Sequence, residues 1–111
     1  LERLGLLYSE ARRFSEAMDT LVAATQADGK RASAWFALAR LRLAVAEDGT
    51  AGMEALKRAL DEGFSDREAI VALLAEPVLA EREAVTKLLD EKKLSPAATL
   101  EAPSESKLAP Q

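Results

Sequence analysis

The chain has 111 residues, with 15 Lys plus Arg against 19 Asp plus Glu, a net charge of −4 and a pI near 4.9, which suffices for one small domain and not for two. It contains no Cys, no His and no Asn, which excludes disulfides, zinc sites of the usual kind, cysteine nucleophiles and His-based acid–base devices. Ala (23) and Leu (18) dominate while Ile occurs once, a composition that predicts a helical chain and argues against a self-contained enzyme.

The apolar periodicity predicts helices from end to end. Leu1, Leu4, Gly5 and Tyr8 fall on the inner face of a first helix running to about Ala11. After Arg12-Arg13-Phe14, with Ser15 as cap, a second helix turns Ala17, Met18, Leu21, Val22 and Ala24 inward. Asp28-Gly29 ends it, Gly suiting a left-handed C-terminal position. In a third helix, about Arg31 to Glu47, Trp35, Phe36, Leu38, Leu41, Leu43 and Val45 spread around most of the circumference. A helix apolar nearly all round is covered on several sides, so this one is expected at the centre. Asp48-Gly49 closes it, and Thr50 is placed to cap a fourth helix carrying Met53, Leu56, Ala59 and Leu60. On the outer side of that helix, Glu54 and Arg58 stand at the i, i+4 spacing of an ion pair.

Gly63-Phe64 forms the next stop, and Ser65-Asp66-Arg67-Glu68 has the form of a capping box. A short fifth helix follows, with Ile70, Leu73 and Leu74 inward, and Pro77 prevents its continuation. The sixth runs from about Ala80 to Lys92 behind Val85, Leu88 and Leu89, with Lys87, Lys92 and Lys93 suiting its C-terminal dipole. No stretch alternates with period 2 as a strand does. Residues 95–111 hold Pro96, Pro103 and Pro110 with Ser, Glu and Ala in no period, and read as a flexible tail behind a helical domain of residues 1–94.

The opening Leu1-Glu2-Arg3-Leu4 lacks an initiator Met and reads as part of something longer, so targeting signals and compartment stay undefined between cytoplasm and periplasm or cell envelope. No run reaches the roughly 18–20 apolar residues of a membrane span. The longest, Ala32 to Ala46, is broken by Arg40 and Arg42. Direct membrane insertion of this segment is therefore not expected.

Sliding the chain along itself reveals a repeat. Leu1, Leu4 and Gly5 return 34 residues later as Trp35, Leu38 and Ala39. Ala17, Leu21 and Ala24 return 35 residues later as Gly52, Leu56 and Ala59, which puts one inserted residue in the turn between the third and fourth helices. Small residues at Gly5, Ala39, Ala17 and Gly52 would let helix backbones approach, while the large ones fill the spaces between.

This pattern resembles the tetratricopeptide family, whose helix–turn–helix unit of 34 residues carries W-x2-L-G-x2-Y and A-x3-F. The first unit shows Leu1-x2-Leu4-Gly5-x2-Tyr8, Phe14, Ala17, Leu21 and Ala24; the second shows Trp35-x2-Leu38-Ala39, Gly52, Leu56 and Ala59. Arg42 replaces the aromatic expected after Ala39, and Gly29 the usual terminal Pro. The resemblance implies an all-α fold of antiparallel hairpins stacked as a short right-handed solenoid. Its repeats would span about residues 1–30 and 31–64, with a degenerate closing pair at 65–94. The segment Ala59 to Asp66 is also similar to the closing part of many bacterial tetratricopeptide proteins.

Carboxylates are plentiful, as at Glu47-Asp48, Asp61-Glu62 and Asp90-Glu91, but each pair sits at a helix end or on a polar face and reads as solvated surface rather than a catalytic dyad. The five glycines form no phosphate-binding loop. No metal or other cofactor is expected. Residues 1–64 carry nine basic against ten acidic side chains, which is no electrostatic footprint for nucleic acid. What remains is protein binding.

The resemblance puts the first helix of each hairpin on a concave face, displaying Glu2, Arg3, Leu6 and Ser9, then Ser33, Phe36, Ala37, Arg40 and Leu43. Of these, Leu6, Ser9, Ser33, Phe36, Arg40 and Leu43 are the candidate partner-binding residues. Phe36 and Leu43 beside Arg40 would suit a peptide bearing a hydrophobe and a carboxylate. The alternative at those positions is packing against the fifth helix or against further repeats. The Asn and Lys clamp by which some tetratricopeptide proteins hold chaperone C-termini has no counterpart, since Asn is absent and Glu2 and Leu6 occupy the matching places. The expected role is a non-catalytic scaffold or adaptor; the alternatives are a self-association module, or a regulatory helical domain of a larger enzyme.

Overall fold

A computed structural model describes residues 1–94; the expected tail of residues 95–111 lies outside them. Six helices follow in order: α1 (Glu2–Glu10), α2 (Phe14–Ala27), α3 (Ala32–Ala44), α4 (Gly49–Asp61), α5 (Arg67–Leu74) and α6 (Arg82–Glu91). There is no strand among the described residues, so the chain is all-α there, and no helix among them is long and apolar enough to cross a membrane.

Consecutive helices pack in series, α1 on α2, α2 on α3 and α3 on α4. A single apolar cluster runs from Ala17 and Leu21 of α2, through Phe36, Leu38, Leu41 and Leu43 of α3 and Leu56 of α4, to Ile70, Leu73, Val85 and Leu89. Helix α3 is the central element, contributing six buried residues. Its expected breadth of burial is real, except that Val45 at its end is 40% exposed.

Two glycines show why small residues recur at the repeat positions. A Cβ on Gly5 would lie 2.7 Å from Leu21 Cγ, and one on Gly52 2.6 Å from Leu43 Cδ2. Both distances are below contact, so α1 meets α2 and α3 meets α4 at points where only hydrogen fits. At the positions equivalent to Gly52 and Gly5, Ala17 and Ala39 are fully buried.

Several local expectations are corrected. Leu1 and Leu4, expected inside, are 62% and 44% exposed, because α1 turns Gly5 rather than the leucines toward α2. Ser15 is not a cap, since α2 begins at Phe14 after Arg13 with no side-chain cap. Asp48, not Thr50, caps α4 by accepting a hydrogen bond from the Ala51 N–H (3.2 Å). The capping box at Ser65 does not form, because Asp66 takes the cap of α5 and accepts from Ala69 N–H (3.2 Å). In both cases a short carboxylate one or two residues away reaches the orphan N–H better than the hydroxyl. Arg58 pairs with Glu62 (3.0 Å) rather than Glu54.

Gly29 has no positive φ, so it is not the left-handed stop expected there. That conformation occurs instead at Arg12, Glu47, Glu81, Lys93 and Gly63. At three of these positions the helix closes in a Schellman motif. The N–H of Arg13 bonds to Tyr8 O, that of Phe64 to Ala59 O, and that of Leu94 to Leu89 O. Only Gly63 could be read from the residue type.

The segment between α5 and α6 is tied down by polar contacts. The Ala80 N–H donates to Leu43 O (2.9 Å), an acceptor at the end of α3. Arg82 donates to Leu74 O (2.8 Å) and Glu76 O, satisfying carbonyls at the end of α5 where Pro77 follows. These bonds close the Pro77 corner and fix where Glu76 points.

Candidate interaction cleft

The site begins at the C-terminus of α4. Gly63, at φ +100°, reverses the chain without the steric cost a Cβ would bring, and delivers Phe64 as the residue after it. The Phe64 ring stacks on Phe36 with centroids 4.1 Å apart and planes within 9°. This pair floors a cleft of about 230 Å³. Leu6 of α1 and Ala37 of α3 bound it on one side, and Ala69 and Ala72 of α5 on the other. The walls are apolar because α1, α3 and α5 leave an Ala-lined gap that no side chain of their own fills.

Charged groups mark the rim. Glu2 accepts hydrogen bonds from Ser33 and from Arg31 (3.2 Å). Asp66 lies on the same cleft with its carboxylate engaged as the α5 cap. Arg40 also lines it, its Nε 3.0 Å from Glu76 Oε2. Both partners of the Arg40–Glu76 pair are partly exposed, so the pair is worth no more than about 0–1 kcal/mol.

Of the six residues expected on a binding face, Leu6, Ser33, Phe36 and Arg40 are brought together around this cleft. Ser9 is not. It lines a neighbouring depression of about 530 Å³ with Arg12, Phe14, Val45 and Glu76, joined to the cleft through Arg40. Leu43 is fully buried, with its side chain directed at Gly52, and belongs to the core. Phe36 is 4% exposed, so it is a floor and not a protruding contact. For Phe36 and Leu43 the packing alternative therefore holds, while Trp35 packs against the core from its edge. Trp35 is half-buried, its Nε1–H donates to Gly29 O (2.8 Å), and the Arg58 guanidinium lies 4.9 Å from its ring centre. Arg58 also donates to Gly29 O (3.0 Å), so Trp35 and Arg58 together satisfy a carbonyl just past the end of α2.

The sequence reading missed Phe64, Ala69 and Ala72. Phe64 stood there only as part of a helix stop. The available signal for the alanines was a small pair at i, i+3 beside the apolar pair Ile70 and Leu73.

No group of three or more His, Asp or Glu side chains converges among the described residues in a way that could hold a metal ion. Away from the cleft, a hydrogen bond to Glu16 raises the pKa of Arg13. Every buried side-chain nitrogen or oxygen among the described residues has a hydrogen-bond partner; Thr25, for instance, donates to Val22 O (2.8 Å). A volume of about 230 Å³ falls below the roughly 300–1,000 Å³ of small-molecule sites. Comparison with models of known protein families, with curated proteins and with solved structures finds no match to this chain.

Proposed function

We propose that this chain is a non-catalytic protein–protein interaction module, a scaffold or adaptor. In this reading its helical hairpins stack in the tetratricopeptide manner, and a partner polypeptide lies along the cleft between α1, α3 and α5. The carrying observation is the convergence of Leu6, Ser33, Phe36 and Arg40, from two helices of the repeat, with Phe64, Ala69 and Ala72 around one unfilled apolar gap. The 34-residue spacing, the serial packing of α1 to α4 and the close approaches at Gly5 and Gly52 support the hairpin-stack part of the reading.

The partner chemistry follows from floor and rim. A large apolar or aromatic side chain enters between Leu6 and the alanines, above the Phe36–Phe64 stack. A carboxylate on the same segment replaces Glu76 at Arg40, where a charge-assisted bond gives direction as well as energy. A displayed library of random peptides tests this. Enriched sequences are expected to pair an apolar anchor with a nearby Asp or Glu, and to lose binding at least about tenfold when Arg40 becomes Glu. A library that yields no such consensus, or binders indifferent to both Arg40→Glu and Leu6→Asp, refutes the assignment of this cleft.

A further inference from the structure

The cleft carries opposite charges at its two ends. Ser33 and Arg40 both line it and stand seven residues apart on α3, about 10 Å along the helix axis. Ser33 donates to Glu2 and so marks the end at which that carboxylate sits. Two contacts fix the direction of α5 on the opposite wall. Glu76, just beyond its C-terminus, pairs with Arg40, while Asp66 caps its N-terminus about 12 Å away along the helix. Glu2 and Asp66, both lining the cleft, therefore share the end away from Arg40. Between the two ends lies the apolar floor of Phe36 and Phe64.

The acids at the far end have structural duties that do not remove their charge. Asp66 is exposed and accepts the Ala69 N–H at Oδ1. Glu2 accepts from Ser33 and from Arg31, but Arg31 is half-exposed, shared with Asp28 (3.7 Å) and outside the lining of the cleft. The lining thus presents two carboxylates at one end and one guanidinium at the other.

We infer that the cleft selects a polypeptide segment of mixed charge, with an apolar anchor over the Phe36–Phe64 stack, an acid at Arg40 and a Lys or Arg at the Glu2–Asp66 end. This rests on the reading of the cleft as a polypeptide site and adds the second charge and its side. About 10 Å between the ends corresponds to about three residues of extended chain, so base and acid flank the anchor within one or two positions. The opposed charges fix how the segment lies along α3. A second acid in place of the base would face Glu2 and Asp66 and is rejected by like-charge repulsion.

The test is a displayed library with Trp fixed at the centre and three random positions on each side. It is selected in parallel on the parent chain, on Glu2→Gln with Asp66→Asn, on Arg40→Gln and on Leu6→Asp. Gln keeps an acceptor for Ser33, and Asn caps a helix about as well as Asp, so the paired change removes charge and keeps the bonds. Parent binders are expected to carry Lys or Arg on one side of Trp and Asp or Glu on the other. The basic preference should vanish on Glu2→Gln with Asp66→Asn while the acidic one stays, and the reverse should hold on Arg40→Gln. Exchanging the basic residue of a parent binder for Gln should weaken it about two- to fivefold on the parent chain. That exchange needs no variant of the protein, so it decides the matter even where the paired change fails to fold. Binders with no basic preference, or one that survives Glu2→Gln with Asp66→Asn, overturn the mixed-charge inference and leave the cleft assignment standing. Enrichment as strong on Leu6→Asp as on the parent, or none at all, overturns the cleft reading and this inference with it.

Discussion

Truncating Phe36 to Ala removes a ring that is 4% exposed and stacked on Phe64 at 4.1 Å. Nearly the whole transfer free energy of the side chain is at stake, and the cavity opens between α3 and the α4–α5 connection. Buried Phe to Ala changes cost about 3–5 kcal/mol, and an aromatic pair contributes about 0.5–1.5 kcal/mol beyond area burial. Total stability for a domain of this size is of the order of 5–14 kcal/mol, so about a quarter of it or more should vanish. In urea titrations followed by far-UV circular dichroism, the midpoint should fall with an unchanged m-value. Trp35, half-buried and bonded to Gly29 O at 2.8 Å, is the smaller loss, at about 2–3 kcal/mol for Trp35→Ala once its exposed part is discounted. The order Phe36 over Trp35 is the decisive readout. A Phe36→Ala protein within about 1 kcal/mol of the parent, or one less affected than Trp35→Ala, would refute both the stacked floor and the cleft built on it.

The other predictions concern contacts of different kinds. Gly5→Val should destabilise by about 2 kcal/mol or more, because the first added carbon already lies 2.7 Å from Leu21 Cγ; equilibrium unfolding checks it. Gly63→Ala should cost about 1 kcal/mol at φ +100°, and in double-mutant cycles with Phe36→Leu it should couple to the stack it positions. Asp66→Ala should lose about 0.5–2 kcal/mol by removing the α5 cap, while Ser65→Ala stays within about 0.5 kcal/mol, a contrast that thermal melts can read. Arg40→Glu should leave stability within about 1 kcal/mol while abolishing capture of acidic-hydrophobic peptides in a binding titration.

Much of the fold is legible in the sequence because helices announce themselves locally. The six segments, the central place of α3 and the break at Pro77 follow from periodicity and from what Pro and Gly do to a backbone. The repeat spacing also identified where small residues are needed, and Gly5 and Gly52 are crossing points for the stated reason. The caps were harder. Asp48 competes with Thr50, and Asp66 with Ser65, over distances of one or two residues, and only the path of the incoming chain decides which oxygen reaches the N–H. Three Schellman closures place a left-handed residue at Arg12, Gly63 and Lys93. Arg and Lys give no sign of it, because the hydrogen bonds of the motif outweigh their preference.

The candidate site was legible to a lesser degree. A helical register can say that Leu6, Ser33, Phe36 and Arg40 share a side of their hairpins. It cannot say which of two adjacent aromatics, Trp35 or Phe36, is covered, because on a helix apolar all round that depends on what lies opposite. Phe64 lies opposite, carried there by the turn at Gly63, and it makes Phe36 a floor while Leu43 goes to the core against Gly52.

The sequence by itself determined an all-helical chain with a repeated small-and-large packing pattern, since both are properties of spacing along one strand of covalent geometry. Its opening absences of His, Cys and Asn likewise needed no structure to remove whole classes of chemistry. Tertiary structure alone decided which leucines are bare and which buried, as Leu4 and Leu7 against Leu38 and Leu41 show. Burial is a relation between a side chain and a neighbour distant in sequence. The same pattern is buried on α3 and exposed on α1.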